Sequence, residues 1–137
     1  MKIRKLVIAL FAMAPLVFSL TGCSRPVALV EPSFQVPNGS SATVQEVIRQ
    51  ALLGRRWAIQ EKLPDGYIAQ YNRRPDVWAR IKVTHFGRQV TIRYVDSEGL
   101  KYKKNRFGSV SVSRWYRTWV LNLESDIKFQ IGKTVVS

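Results

Sequence analysis

"VWARIKVTHFGRQVTIRY", residues 77–94, decides the fold. Val77, Ala79, Ile81 and Val83 alternate with Trp78, Arg80, Lys82 and Thr84. Beyond Phe86-Gly87 the alternation resumes, with Val90, Ile92 and Tyr94 set against Thr91 and Arg93. A period of two sends successive side chains to opposite faces of an extended chain. Two such runs joined by a glycine-containing turn read as an antiparallel hairpin. One face is apolar and turned inward. The other carries Trp78, Arg80, Lys82, Thr84, Thr91 and Arg93.

Working outward, the same period adds flanking strands. Trp57, Ile59 and Glu61 alternate with Ala58 and Gln60, and Pro64-Asp65-Gly66 marks a turn into a short strand from Tyr67 to Asn72. After a turn at Asp96-Ser97-Glu98-Gly99, Leu100 and Tyr102 supply a brief edge segment. Helices are expected at both ends. Thr43-Val44-Gln45-Glu46 matches a capping box, Val44, Val47, Ile48, Ala51 and Leu52 share one helical face, and Gly54 offers a stop. A second helix starts near Ser113, with Trp115, Trp119, Leu123 and Ile127 four residues apart, and Gly132 ends it. The expected fold class is α+β: a two-layer sandwich ordered helix, three or four antiparallel strands, helix. It occupies residues 43–132 as one domain, and 133–137 form a fraying tail.

The chain ahead of this domain reads differently. Residues 24–42, "SRPVALVEPSFQVPNGSSA", hold Pro26, Pro32 and Pro37 and keep neither a helical nor a strand period, so they read as a flexible tether. Fully stretched, such a tether reaches roughly 60 Å, and as a coil about 24 Å.

Residues 1–22 have the layout of an export signal. Lys2, Arg4 and Lys5 precede the apolar run Leu6 to Leu20, whose 15 residues fall short of the ~20 needed to span a bilayer. Leu20-Thr21-Gly22-Cys23 resembles the lipobox of bacterial lipoproteins, and Cys23 is the single cysteine of the chain. The resemblance implies that signal peptide 1–22 is removed and that the Cys23 thiol carries a diacylglycerol. One acyl chain holds a protein marginally, and two or three hold it stably. Ser24 follows the cysteine where Asp would favour the inner membrane, so the resemblance implies an outer-membrane anchor facing the periplasm of a Gram-negative cell. The alternatives are an ordinary secretory signal or a short membrane anchor whose cysteine is incidental.

"YVDSEGLKY" (94–102) and "YRTWVLNLESDI" (116–127) resemble a family of small, uncharacterised bacterial lipoproteins with the patterns Y-x-D-S-x-x-L-x-Y and Y-x-x-W-x-x-N-L-x-x-D-I. The matching positions are Tyr94, Asp96, Ser97, Leu100 and Tyr102, then Tyr116, Trp119, Asn122, Leu123, Asp126 and Ile127. The resemblance implies a fold and a location, and no chemistry.

Charge frames the functional reading. The chain carries +13 at pH 7, and +10 remains after residues 1–22 are taken away, so the signal is not the source of its basicity. Arg80, Lys82 and Arg93 share a sheet face with Trp78, a pattern suited to an anionic lipid, a glycolipid or an acidic envelope protein. The plain alternative is a solvated face that keeps the domain soluble. Nucleic acid is the first thought for such charge interleaved with aromatics, but an export signal argues against it.

No catalytic constellation stands out. His85 is the sole histidine, read as an exposed strand-end residue, and no nucleophile elbow is present. Asp96 and Ser97 read as turn formers, Trp115 and Trp119 as core. One His and one Cys are too few for a His/Cys metal site, and no cofactor is expected. The sequence therefore points to a lipid-anchored envelope module that is not an enzyme, binding through Trp78, Arg80, Lys82 and Arg93. The competing reading is a structural envelope lipoprotein with no specific ligand.

Overall fold

The computed structural model describes residues 26–37 and 41–136. Cys23 and the expected signal peptide lie outside the described residues. The fold is α+β, with two helices and two antiparallel sheets. Strands β1 (Pro26–Ala28) and β2 (Ser33–Gln35) come first, then helix α1 (Ser41–Gly54). Strands β3 (Ala58–Leu63), β4 (Gly66–Arg74), β5 (Val77–Phe86) and β6 (Gln89–Glu98) follow, then β7 (Lys103–Lys104), β8 (Val110–Ser113) and helix α2 (Arg114–Val136). The larger sheet has the order β2-β6-β5-β4-β3, and the smaller β1-β8-β7.

The β5–β6 hairpin is where alternation placed it. Phe86 pairs with Gln89 across Gly87-Arg88, and Gly87 takes the left-handed conformation at φ 59° that an L side chain adopts only with strain. Val77, Ala79, Ile81, Val83, Val90 and Ile92 are all buried. They meet Val44, Val47, Ile48, Ala51 and Leu52 of α1 and Tyr116, Val120, Leu123, Ile127 and Ile131 of α2 in one core. At the β3–β4 turn, Gly66 is required for a different reason. A Cβ there would stand 1.9 Å from the Val83 carbonyl oxygen.

The tether reading is overturned for residues 26–36. Pro26↔Ser113 and Ala28↔Ser111 pair β1 with β8, and Ser33↔Thr91 and Gln35↔Gln89 pair β2 with β6. Phe34 and Val36 are buried, and the Val36 N–H donates to the Arg88 carbonyl at 2.8 Å. The two strands are three residues each, too short to display a period, and their partners lie more than fifty residues away. The domain therefore begins at β1, ahead of residue 43.

Other boundaries move as well. Helix α1 starts at Ser41, so Thr43 lies inside its first turn, and the Glu46 carboxylate accepts from Arg49 at 2.6 and 2.9 Å. The helix ends at Gly54, as read, and a Schellman arrangement closes it. The Trp57 N–H donates to the Leu52 carbonyl at 2.9 Å and the Arg56 N–H to Leu53 at 3.1 Å, with Arg56 left-handed at φ 65°. Helix α2 runs through Gly132 to Val136, so residues 133–136 are helical and no frayed tail. Its start is as read: the Ser113 hydroxyl caps the Trp115 N–H at 3.2 Å. Leu100 is buried, but the edge strand falls on Lys103–Lys104 and joins the smaller sheet.

Candidate functional site

Trp78, Arg80, Lys82 and Arg93 do share the outer face of the larger sheet, as alternation requires. Lys82 stands directly opposite Arg93 in the β5–β6 register, with Thr84 opposite Thr91 further along. Neighbouring β4 adds Ile68 beside Lys82, Gln70 beside Arg80 and Asn72 beside Trp78.

A bulge on β6 brings in residues that alternation sends elsewhere. The register shifts between Arg80 and Ile81, so Tyr94 faces Ile81 while Asp96 faces Arg80, and Val95 is the extra residue. Asp96 thereby joins the outer face although strict alternation puts it inward with Tyr94. Its carboxylate accepts from Arg80 Nη1 at 3.1 Å. Arg80 also donates to Gln70 Oε1 at 3.2 Å through Nη2, and its guanidinium lies 5.3 Å from the centre of the Trp78 ring. The Trp78 indole N–H donates to Glu98 at 3.0 Å.

Two of the four residues are therefore held by acids of the same face. The other two, Lys82 and Arg93, are exposed and face each other with no acid against either among the described residues. Like charges directly opposite on an antiparallel pair repel. This pair is where the face keeps unmatched positive charge.

Asp96 and Ser97 are strand residues of β6, which corrects the turn reading. Ser97 points inward, 2.7 Å from the Tyr94 hydroxyl. Burial raises the Tyr94 pKa, and the Ser97 hydrogen bond opposes it. His85, expected at the surface, is buried. Its Nε2 lies 2.8 Å from Gln45 Oε1, and the Gln45 amide donates to the carbonyls of Leu63 and Gly66 at 3.2 and 3.3 Å. With its amide nitrogen so committed, Gln45 presents its oxygen, and His85 Nε2 is the donor. Among the described residues His85 Nδ1 has no partner. Burial lowers the His85 pKa, opposed by the charge of Asp65. His85 pairs with Val90 while Ser97 pairs with Ala79, so β5 and β6 hold the two far apart.

Among the described residues no group of three His, Cys, Asp or Glu side chains is placed to hold a metal ion. Among them too, no helix is long and apolar enough to cross a membrane. No protein family, curated protein or solved structure matches the chain.

Proposed function

We propose that this protein is a lipid-anchored module of the bacterial envelope, facing the periplasm, that holds an anionic envelope component on the outer face of its sheet. The helices form the second layer behind that sheet and leave the polar face free. The Lys82–Arg93 pair carries the reading. A phosphate or carboxylate between two opposed cations relieves their repulsion and gains charge-assisted hydrogen bonds from both. Thr84 borders the pair and adds a hydroxyl donor, while the Thr91 hydroxyl opposite it already meets the Ser33 hydroxyl at 3.2 Å.

Lipidation at Cys23 sets how the domain sits. Because β1 begins at Pro26, only Ser24 and Arg25 separate the cysteine from paired strand, a reach of about 10 Å. Such a short link keeps the domain against the headgroups. Arg114 and Arg117 of α2 flank Pro26 and face the same anionic boundary.

The test uses full-length protein in detergent and lipid A as the probe. Changing Lys82→Gln with Arg93→Gln is expected to weaken binding by about tenfold or more, while Arg80→Gln, whose charge Asp96 already answers, changes it less. If the double variant binds as the parent does, the face is no site. The structural reading, a lipoprotein without a specific ligand, then takes precedence. It already draws support from the internal pairing of Arg80 with Asp96 and Trp78 with Glu98. Cys23→Ser is expected to release the protein from the membrane fraction, and unchanged processing and sedimentation would overturn the anchor.

A further inference from the structure

A cleft of about 300 Å³ opens between the end of α1, β4 and the middle of α2. Trp57, Tyr71 and Trp119 form its aromatic wall, and Arg55, Arg56 and Asn122 its polar rim. The Tyr71 ring lies 5.6 Å from Trp57 and 4.7 Å from Trp119, tilted by 46° and 59°. Trp57 is buried, whereas Tyr71 and Trp119 are half-exposed. These three rings join no function argued above, and they lie on different residues from the cationic sheet face.

Two polar groups at the rim have unused capacity. The Asn122 amide, half-buried, bonds to no other described residue, although it can donate two hydrogens and accept through its oxygen. Arg56 has no acid against it among the described residues, and it stands at φ 65°, where glycine is the easy choice. Its neighbour is different. Arg55 holds Asp126 of α2 through Nε at 2.5 Å and Nη2 at 3.1 Å, which braces the two helix segments that frame the opening.

We infer that this cleft binds a single sugar ring bearing an acidic substituent. Its volume is at the lower end of small-molecule sites, roughly 300–1,000 Å³, and suits one ring. With Trp57 buried, the half-exposed Tyr71 and Trp119 rings, tilted by 59°, cup the C–H-bearing face of a saturated ring. They leave no parallel slot for a flat one, which would stack on a single face. The planar Asn122 amide, both donor and acceptor, matches neighbouring hydroxyls of such a ring. The Arg56 guanidinium meets its carboxylate or phosphate.

The reading stands apart from the sheet-face proposal and is tested apart from it. Full-length protein in detergent is titrated with N-acetylmuramic acid, glucose 6-phosphate, N-acetylglucosamine, benzoate and inorganic phosphate, followed by tryptophan fluorescence and calorimetry. The acidic sugars are expected to bind saturably, about tenfold or more tighter than N-acetylglucosamine. Benzoate and phosphate are expected not to saturate. Arg56→Gly removes the guanidinium while easing the left-handed backbone, so the acidic preference falls to within about twofold with Tm unchanged or raised. Asn122→Ala and Trp119→Leu each weaken all sugars, and Lys82→Gln with Arg93→Gln leaves them untouched. Failure of every sugar to saturate, equal binding of benzoate or phosphate, or an acidic preference that survives Arg56→Gly overturns the assignment. Loss of sugar binding in the Lys82/Arg93 variant would overturn it too, by moving the site to the sheet.

Discussion

Strand β4 contributes to two surfaces that treat their polar groups in opposite ways. Gln70 faces outward and accepts from both Arg80 and Gln60. On that face Arg80 also meets Asp96, and Trp78 meets Glu98. The next residue, Tyr71, turns to the other side and forms the wall of the cleft, where Asn122 and Arg56 have no such partners among the described residues. The face rich in charge is mostly self-satisfied, and the face with little charge holds the open hydrogen-bonding capacity. Counting cations along a sequence finds the first surface. Asking which polar groups lack a partner finds the second, along with the Lys82–Arg93 pair.

The largest effect that sharpens this contrast concerns the cleft itself, whose floor and wall have separate jobs. Trp57 is 2% exposed and follows the left-handed Arg56 in the helix stop, so Trp57→Ala is expected to cost about 3–5 kcal/mol of stability in urea unfolding. Trp119→Ala removes a half-buried ring and is expected to cost clearly less. Equal losses would mean that Trp119 is core, and the wall would no longer be a free surface.

How far the sequence carried this picture depends on the length of each pattern. The ten-residue strands β5 and β6 repeat their alternation often enough to fix faces and pairing. The bulge at Val95 leaves no mark, because "YVDSE" reads smoothly through it, and so the acids answering Arg80 and Trp78 were hidden. Strands β1 and β2 defeat any period with three residues apiece, and prolines beside them mimic a linker. Spacing by four put Trp119 on the inward side of α2 but does not say how much of its ring stays open. Gly54 does end the helix, but the left-handed position that closes it falls on Arg56, a residue type that gives no such signal.

The contrast extends into the core through His85. Every polar atom of the Gln45 amide group is engaged, while His85 Nδ1 has no partner among the described residues. Protonation would put a charge and an unmet donor on that buried nitrogen, in keeping with a pKa lowered from its ordinary 6.5. The folded state thus binds this proton less readily than the unfolded chain. The stability His85 contributes is present above pH 6.5 and declines as pH falls toward the depressed folded value. Unfolding titrations between pH 7.5 and 5 should show that decline, and His85→Gln should flatten it by about the one proton involved. An unchanged slope would mean that the ring is protonated without penalty.

Tyr116 offers a smaller effect of the same kind. Its ring is buried in the core, and its hydroxyl has no partner among the described residues. Burial, with Glu31 and Tyr94 nearby, holds its pKa well above the ordinary value. Tyr116→Phe keeps the ring and removes the unmatched hydroxyl, so stability should hold or rise by up to about 1 kcal/mol. A loss beyond that range would show that the hydroxyl is bonded. Among the described residues, His85 Nδ1 would then be the open polar atom of the core.

The smallest effect lies on the outer sheet face, at Lys82 and Arg93. Their register sets two cations side by side across the strands with no acid between them among the described residues. Replacing either should relieve repulsion, and Lys82→Gln is expected to raise stability by a few tenths of a kcal/mol. The gain should shrink as salt is added, because exposed charges are screened over roughly 8–10 Å at 0.10–0.15 M. Asp96→Asn is the counterpart on the satisfied part of the face. It weakens the half-exposed Arg80 contact and should cost no more than about 1 kcal/mol. Opposite signs from two substitutions on one sheet face would separate charge that is matched from charge that awaits a ligand. Two losses would show that Lys82 is stabilising where it stands, and a pair that holds itself together has no need of an anion.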